Sequence, residues 1–214
     1  VDILLVGAQG SGKGTQADIL APKLGSPHVA SGDLLRAAIS QRTPAGQKAQ
    51  TFYDRGDLVP DEIMVVMILE RLAELDCTNG VILDGFPRTI AQAEALDRAL
   101  VPLGRSVDHV IYLKADPNVL VKRLANRYIC RAHQHPYNLV TNPPRLPGIC
   151  DIDGSELYQR SDDTEEAVRR RLEIFFNETI KLLDYYDAHG KVREVNADQP
   201  ISTVTWAILQ ALGV

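Results

Sequence analysis

The chain has 214 residues, with 23 Lys and Arg against 28 Asp and Glu, for a net charge of −5. That size suits one large α/β domain carrying small insertions, and the acidic balance gives no support to general nucleic-acid binding. No apolar run approaches the length of a membrane span, and three cysteines cannot form an even disulfide framework. A cytoplasmic monomer with neither nucleic-acid nor membrane partners is expected.

Residues 3–6 form a short apolar run that breaks into Gly7-Ala-Gln9-Gly10-Ser11-Gly12-Lys13-Gly14-Thr15. The spacing Gly7-x-x-x-x-Gly12-Lys13 is that of a P-loop. Its glycines let backbone N–H groups surround an anion, the helix that follows adds its positive end, and Lys13 adds a full charge. Gly14 stands where a magnesium-binding Ser or Thr is usual, with Thr15 one position later. Residues 16–24 have a helical pattern. Residues 31–59 read as short helices, with turn residues at Thr43-Pro44 and Arg55-Gly56. Asp61 precedes a helical apolar pattern over 63–75.

Further strands are expected over 81–84, 109–113 and 192–195. The first ends in Asp84-Gly85-Phe86-Pro87-Arg88. An aspartate at the end of a strand beside a P-loop orients Mg²⁺ directly or through water, and with glycine at position 14 Asp84 carries more of that task. Asp116-Pro117 pairs a capping carboxylate with a first-turn proline. A long helix is expected over 168–186, with Glu165 and Glu166 near its start and Gly190 at its stop. Alternating strands and helices argue for a P-loop-type parallel sheet flanked by helices on both faces.

Residues 127–163 break this order. They contain Pro136, Pro143, Pro144 and Pro147 and have no helical period. Within them Cys130-x-x-His133 and Cys150-x-x-Asp153 form two short pairs at a spacing known from tetrahedral zinc sites. A four-ligand structural zinc would hold a segment too small to fold on its own apolar area. His135 is close enough in sequence to be an alternative ligand, and a metal-free polar cluster is the competing arrangement. Cys77 lies outside both pairs.

Taken together, Gly7 to Thr15, Ser31-Gly-Asp33-Leu-Leu-Arg36, Gly56-Asp-Leu-Val-Pro60, Asp84-Gly-Phe-Pro-Arg88-Thr, Gln92 and Tyr158-Gln-Arg160 through Arg171 resemble adenylate kinases over essentially the whole chain. The long insertion is similar to the long-lid bacterial type. The resemblance implies Mg²⁺-dependent, reversible transfer between ATP and AMP to give two ADP. It divides the chain into a core (1–30, 60–126 and 164–214), an AMP-binding insertion (31–59) and a lid (127–163).

The same resemblance implies roles for single residues. Lys13, Arg88, Arg123, Arg127, Arg160 and Arg171 would be catalytic. The ATP side would take Gly10, Ser11, Gly12, Lys13, Gly14, Thr15, Arg123, Arg127, Tyr137, Asn138 and Gln199. The AMP side would take Ser31, Arg36, Asp57, Leu58, Val59, Gly85, Phe86, Pro87, Arg88, Gln92, Arg160 and Arg171. Asp84 would act on Mg²⁺ through waters, and Cys130, His133, Cys150 and Asp153 match the family's lid metal ligands. Gln9 replaces the usual proline, Ser31 the commoner threonine, and Asn138 a histidine often packed near the ATP base. Arginine suits this chemistry because its fork pairs with phosphate oxygens and stays charged. Arg127 and Arg160 flank the insertion, so its closure over ATP would bring their charge to the site and exclude water.

Overall fold

The computed structural model describes residues 1–160 and 165–214. Asp162, Asp163 and Thr164, with the expected boundary between lid and core, lie outside those residues.

The core is a five-stranded parallel sheet in the order β2-β3-β1-β4-β8. Strand β1 (Asp2–Val6) is buried along its whole length. It pairs with β3 (Val81–Asp84) on one side and β4 (His109–Lys114) on the other, which leaves it no solvent-facing edge. Successive side chains point to opposite faces. Leu4 and Val6 join one apolar cluster with Leu83, Val110 and Leu96, whereas Ile3 and Leu5 join another with Ala17, Leu20, Val204 and Ile208.

The second cluster lies under α1 (Lys13–Leu24) and α9 (Ile201–Leu212). The first takes residues from α4 (Asp61–Leu72), α5 (Ile90–Leu100), α6 (Pro117–Ala125), α7 (Glu165–Ile174) and α8 (Lys181–Asp187). The sheet edges are β2 (His28–Ala30), a strand too short to show in the sequence pattern, and β8 (Val192–Asn196). At the amino end of the sheet Arg105 closes on buried Asp2 and donates to the Cys77 carbonyl at 2.8 Å, tying three segments together.

The expected helix over 168–186 is interrupted: α7 and α8 are separated by a π-helical turn, Phe175–Thr179. The Asp116 cap forms as expected, its carboxylate accepting from Asn118 N at 2.8 Å. Asp61 is the first residue of α4 rather than its cap, and Pro60 holds the cap position. Its carboxylate instead receives Thr89 Oγ1 at 3.0 Å and Gln92 Nε2 at 2.7 Å.

Two segments leave the core. After β2, α2 (Ser31–Ser40) and α3 (Pro44–Arg55) form a helical pair. After α6, β5 (Arg127–Cys130), β6 (Pro136–Asn138) and β7 (Leu157–Tyr158) form a small antiparallel sheet, β6-β5-β7. Its buried apolar cluster is only Cys130, Tyr137, Cys150 and Leu157 among the described residues. The α2–α3 pair depends on Gly46, where an added Cβ would overlap the Ala38 carbonyl of α2. The variant Gly46→Ala is expected to lose about 1–3 kcal/mol of stability in urea unfolding, despite alanine's better helix propensity; an unchanged midpoint would show that the two helices part without cost.

Candidate active site

The P-loop follows the carboxyl end of β1, and Asp84 closes the carboxyl end of neighbouring β3. In open α/β sheets this end is where ligands bind. Gly10 and Gly12 have φ of 86° and 96°, a left-handed conformation that glycine adopts without steric cost. At Gly7 a Cβ would lie 2.6 Å from Ser11 Oγ and 2.9 Å from the Leu113 carbonyl, so the loop can pass β4 only with glycine there. Ser11 Oγ is buried and has no hydrogen-bond partner among the described residues. An acceptor oxygen entering the loop, such as a phosphate oxygen, fits that orphaned hydroxyl.

The loop opens into a cleft of about 1880 Å³ that runs between the α2–α3 pair and the small antiparallel sheet. Lys13, Arg36, Arg88, Arg123, Arg127, Arg160 and Arg171 all line it, although they come from the loop, both inserted segments, the turn after β3, α6 and α7. Gly10, Ser11, Gly12, Gly14, Thr15, Tyr137, Asn138 and Gln199 line the same cleft, as do Ser31, Asp57, Leu58, Val59, Gly85 and Gln92. Phe86 and Pro87 are not on its wall: Phe86 is 2 % exposed and belongs to the large core cluster. That burial anchors the turn presenting Gly85 and Arg88.

Polar contacts set the positions of several of these groups. Lys13 Nζ donates to the carbonyls of Gly7 at 2.8 Å and Ala8 at 3.1 Å, folding back over the loop. Ser31 Oγ and Arg88 Nε both donate to the Gly85 carbonyl, at 2.8 and 2.7 Å. Arg123 donates to the Ala197 carbonyl at 2.8 Å, joining α6 to the segment after β8. Arg36 and Arg160 approach Asp33 together, and the Arg171 guanidinium lies 5.4 Å from the Tyr53 ring centre. Gln92 is 2 % exposed; its Oε1 accepts from Arg88 N and its Nε2 donates to Asp61, both at 2.7 Å. Those two contacts use one N–H and one lone pair of that amide. Asn138 instead closes a turn, accepting from Val140 N and Thr141 N at 3.0 Å, and donates to the Arg123 carbonyl at 2.9 Å. Arg170 points away from this group and pairs with Asp57 at 2.9 Å and Glu173 at 3.1 Å.

Desolvation lowers the Lys13 ammonium to about 8; Asp84 opposes the shift, while Arg88 and Arg127 add to it. Burial opposes charge on Asp84, but His28, Lys13 and Arg88 hold it ionised below the usual range. His28 had no role in the sequence reading. Its Nδ1 lies 2.8 Å from Asp18 and its Nε2 3.6 Å from Asp84; against the cost of burial, those two carboxylates raise it to about 9. Position 14 faces Asp84: a Cβ there would stand 3.5 Å from Oδ2, in ordinary van der Waals contact.

In the small sheet, Cys130, His135, Cys150 and Asp153 bring one potential ligand atom each within 4.8 Å of one another. His135 Nδ1 is 3.3 Å from Cys130 Sγ, 3.4 Å from Cys150 Sγ and 3.2 Å from Asp153 Oδ2. Ser155 and His133 hold the Asp153 carboxyl well below the usual carboxylate range. His133, one of the four positions expected from spacing, is outside this quartet. Its side chain is 68 % exposed, and its Nδ1 meets Asp153 Oδ2 at 2.9 Å from the outer side.

Protonated Lys13 is the form that holds phosphate, and kcat/KM reports the free enzyme. With Lys13 at about 8, kcat/KM for a phosphate-chain substrate is expected to fall as pH rises, with its midpoint at about 8. Rates from about pH 7 to about pH 10 check this; a profile flat to the upper limit would contradict it.

The family model described as "Adenylate kinase" matches residues 5–191. An adenylate kinase of Geobacillus sp. (strain WCH70) is 47 % identical over 213 residues, covering 100 % of this chain and 99 % of its own length. That of Bacillus subtilis (strain 168) is 46 % identical over 213 residues, covering 100 % and 98 %. That of Listeria monocytogenes serotype 4b is 48 % identical over 202 residues, covering 94 % of each chain. With a family match over most of its length and relatives this similar from end to end, the chain belongs to the adenylate kinase family.

Proposed function

We infer that this chain is an ATP:AMP phosphotransferase, carrying out reversible Mg²⁺-dependent transfer of the terminal phosphoryl group of ATP to AMP to give two ADP, within nucleotide homeostasis. Family membership supports the reaction. The observation that carries the assignment of residues is the convergence of Lys13 and six arginines from separate segments on one cleft. A single phosphate chain on the P-loop does not account for positive charge spread that widely. Two nucleotides meeting phosphate to phosphate do.

In this reading the ATP phosphates lie along the loop from Gly10 to Thr15, against its N–H groups and Lys13. Arg123 and Arg127 reach the same chain, while Tyr137, Asn138 and the Gln199 backbone line the base side. The AMP phosphate lies between Arg36 and Arg88. The wall formed by Ser31, Asp57, Leu58, Val59, Gly85 and Gln92 takes its nucleoside. Arg160 and Arg171 lie between the two phosphates.

An oxygen of the AMP phosphate, already ionised, bonds to the terminal phosphorus of ATP as the bond from that phosphorus to the bridging oxygen breaks. The bridging oxygen leaves on ADP, so no side chain has to remove a proton. Arginines positioned before the step stabilise the charge on the transferring group without reorganising. Asp84 fits the waters of a Mg²⁺ bound to the nucleotides, which supplies further charge neutralisation.

Residues 31–59 and 127–163 act as the AMP-binding insertion and the lid of this enzyme. A structural zinc in the lid would be held by Cys130, Cys150 and Asp153 together with a histidine. Thiolate and imidazole donors favour zinc over hard cations. The substrates ATP, AMP and ADP are free small molecules, and the reading is of a monomer in the cytoplasm. No described helix is long and apolar enough to cross a membrane.

ADP formation from ATP should require AMP, and Lys13→Ala should lower kcat/KM by about 100-fold or more with the fold intact. Arg36→Ala should raise KM for AMP by about tenfold, the cost of one charge-assisted pair, and leave KM for ATP unchanged. ADP formation independent of AMP, or near-normal rates in the Lys13 variant, would overturn the assignment.

A further inference from the structure

We propose that the fourth ligand of the lid metal in this chain is His135 rather than His133, and that the metal thereby anchors the ATP-facing strand β6. The proposal rests on the reading of the lid as a metal site.

The hairpin between β5 and β6 makes the choice. Its strands pair antiparallel, Ile129 opposite Pro136. Continuing that register sets Cys130 opposite His135, and Cys130 N donates to the His135 carbonyl at 3.1 Å. Directly opposed residues project to the same face of an antiparallel pair. The Cys130 sulfur and the His135 ring therefore meet by construction. Residues 131–134 form the connecting turn, with Gln134 at a φ of 62°. His133 is carried on the outside of that turn, so the two-residue interval that favoured it in sequence does not describe its place in space.

Distances agree. A tetrahedral zinc, with bonds of about 2.3 Å to sulfur and about 2.0–2.2 Å to nitrogen or oxygen, has ligand–ligand edges of about 3.3–3.8 Å. His135 Nδ1 makes three edges of 3.3, 3.4 and 3.2 Å, to Cys130, Cys150 and Asp153, and Cys130 Sγ to Asp153 Oδ2 makes a fourth of 3.3 Å. The backbone N–H groups of His133 and His135 donate to Cys130 Sγ at 3.4 and 3.2 Å and fix the sulfur's position at the mouth of the hairpin. Among the three acceptors His133 Nδ1 contacts Asp153 alone, at 2.9 Å. That contact suits a residue orienting a ligand from outside the coordination sphere.

The consequence is local to one substrate. Pro136, Tyr137 and Asn138 of β6 follow His135 directly and line the cleft. Tyr137 Oη also donates to Cys150 Sγ at 3.4 Å and accepts from Asp151 N at 2.7 Å. A metal bound through His135 would fix β6 from both the residue that precedes it and its buried tyrosine.

The test compares full-length wild type with His133→Ala, His135→Ala and His135→Cys. It measures bound zinc, zinc affinity by chelator competition, and the visible spectrum of the Co²⁺-loaded protein, with thermal unfolding of each variant. Wild type and His133→Ala should each hold one metal and give intense tetrahedral Co²⁺ absorption, the His133 variant at most about 100-fold weaker in affinity. His135→Ala should bind metal more weakly than His133→Ala, lose the tetrahedral spectrum, and raise KM for ATP while leaving KM for AMP unchanged. His135→Cys should restore tetrahedral absorption. Loss of the tetrahedral site in His133→Ala with retention in His135→Ala, or equal loss in both, would overturn the assignment. Wild-type protein that takes up neither zinc nor Co²⁺ would instead overturn the lid-metal reading on which it rests.

Discussion

Burial of positive charge around Lys13 is the constraint on which the site depends. Desolvation by the loop lowers its ammonium to about 8, and Arg88 and Arg127 add to that shift. Asp84 offsets part of this and is itself held by His28, which Asp18 supports from behind. The arrangement is tolerable without substrate because carboxylates and carbonyl oxygens take up the cationic groups one by one: Gly7 and Ala8 for Lys13, Gly85 for Arg88, Ala197 for Arg123, Asp33 for Arg36 and Arg160. Polyphosphate oxygens can replace the neutral carbonyls with charged acceptors and compete with the Asp33 carboxylate, so the affinity of the cleft for phosphate is a property of the fold rather than of any single arginine.

The sheet makes this possible by separating rigidity from function. Its amino end is closed by Arg105 on Asp2, and β1 is buried on both faces. Its carboxyl end carries the loop, Asp84 and the two inserted segments. Those segments have little apolar core of their own. The α2–α3 pair relies on a glycine contact, and the antiparallel sheet encloses, among the described residues, an apolar cluster of four buried side chains, two of them cysteines. Elements that can move over the substrates while holding arginines in register need such local fasteners, because a large core would fix them to the sheet.

What the sequence disclosed follows from range. Strand β1 and the P-loop were legible because the apolar run, the glycines and Lys13 are contiguous, and the Asp116 cap because it acts within two residues. Strand β2 was not, since three residues carry no period. His28 was invisible because its partners, Asp18 on α1 and Asp84 at the end of β3, lie 10 and 56 positions away and meet it only in the folded chain. Phe86 and Pro87 read as part of a nucleotide-contacting motif, yet the apolar pair turns inward and only its neighbours line the cleft. In the small sheet, interval along the chain pointed to His133, whereas hairpin register brings His135 to the cysteines. The π-helical turn at Phe175–Thr179 left no mark on the apolar pattern.

If the cleft is built to bring two phosphate groups together and keep water from the transferring one, the fate of that phosphoryl group tests it most directly. With ATP labelled in its terminal phosphate, AMP and Mg²⁺ present, label should appear in ADP formed from AMP, and labelled inorganic phosphate should be at least about 1000-fold slower to accumulate. Comparable rates of label release to water and transfer to AMP would contradict the two-nucleotide assignment of the cleft.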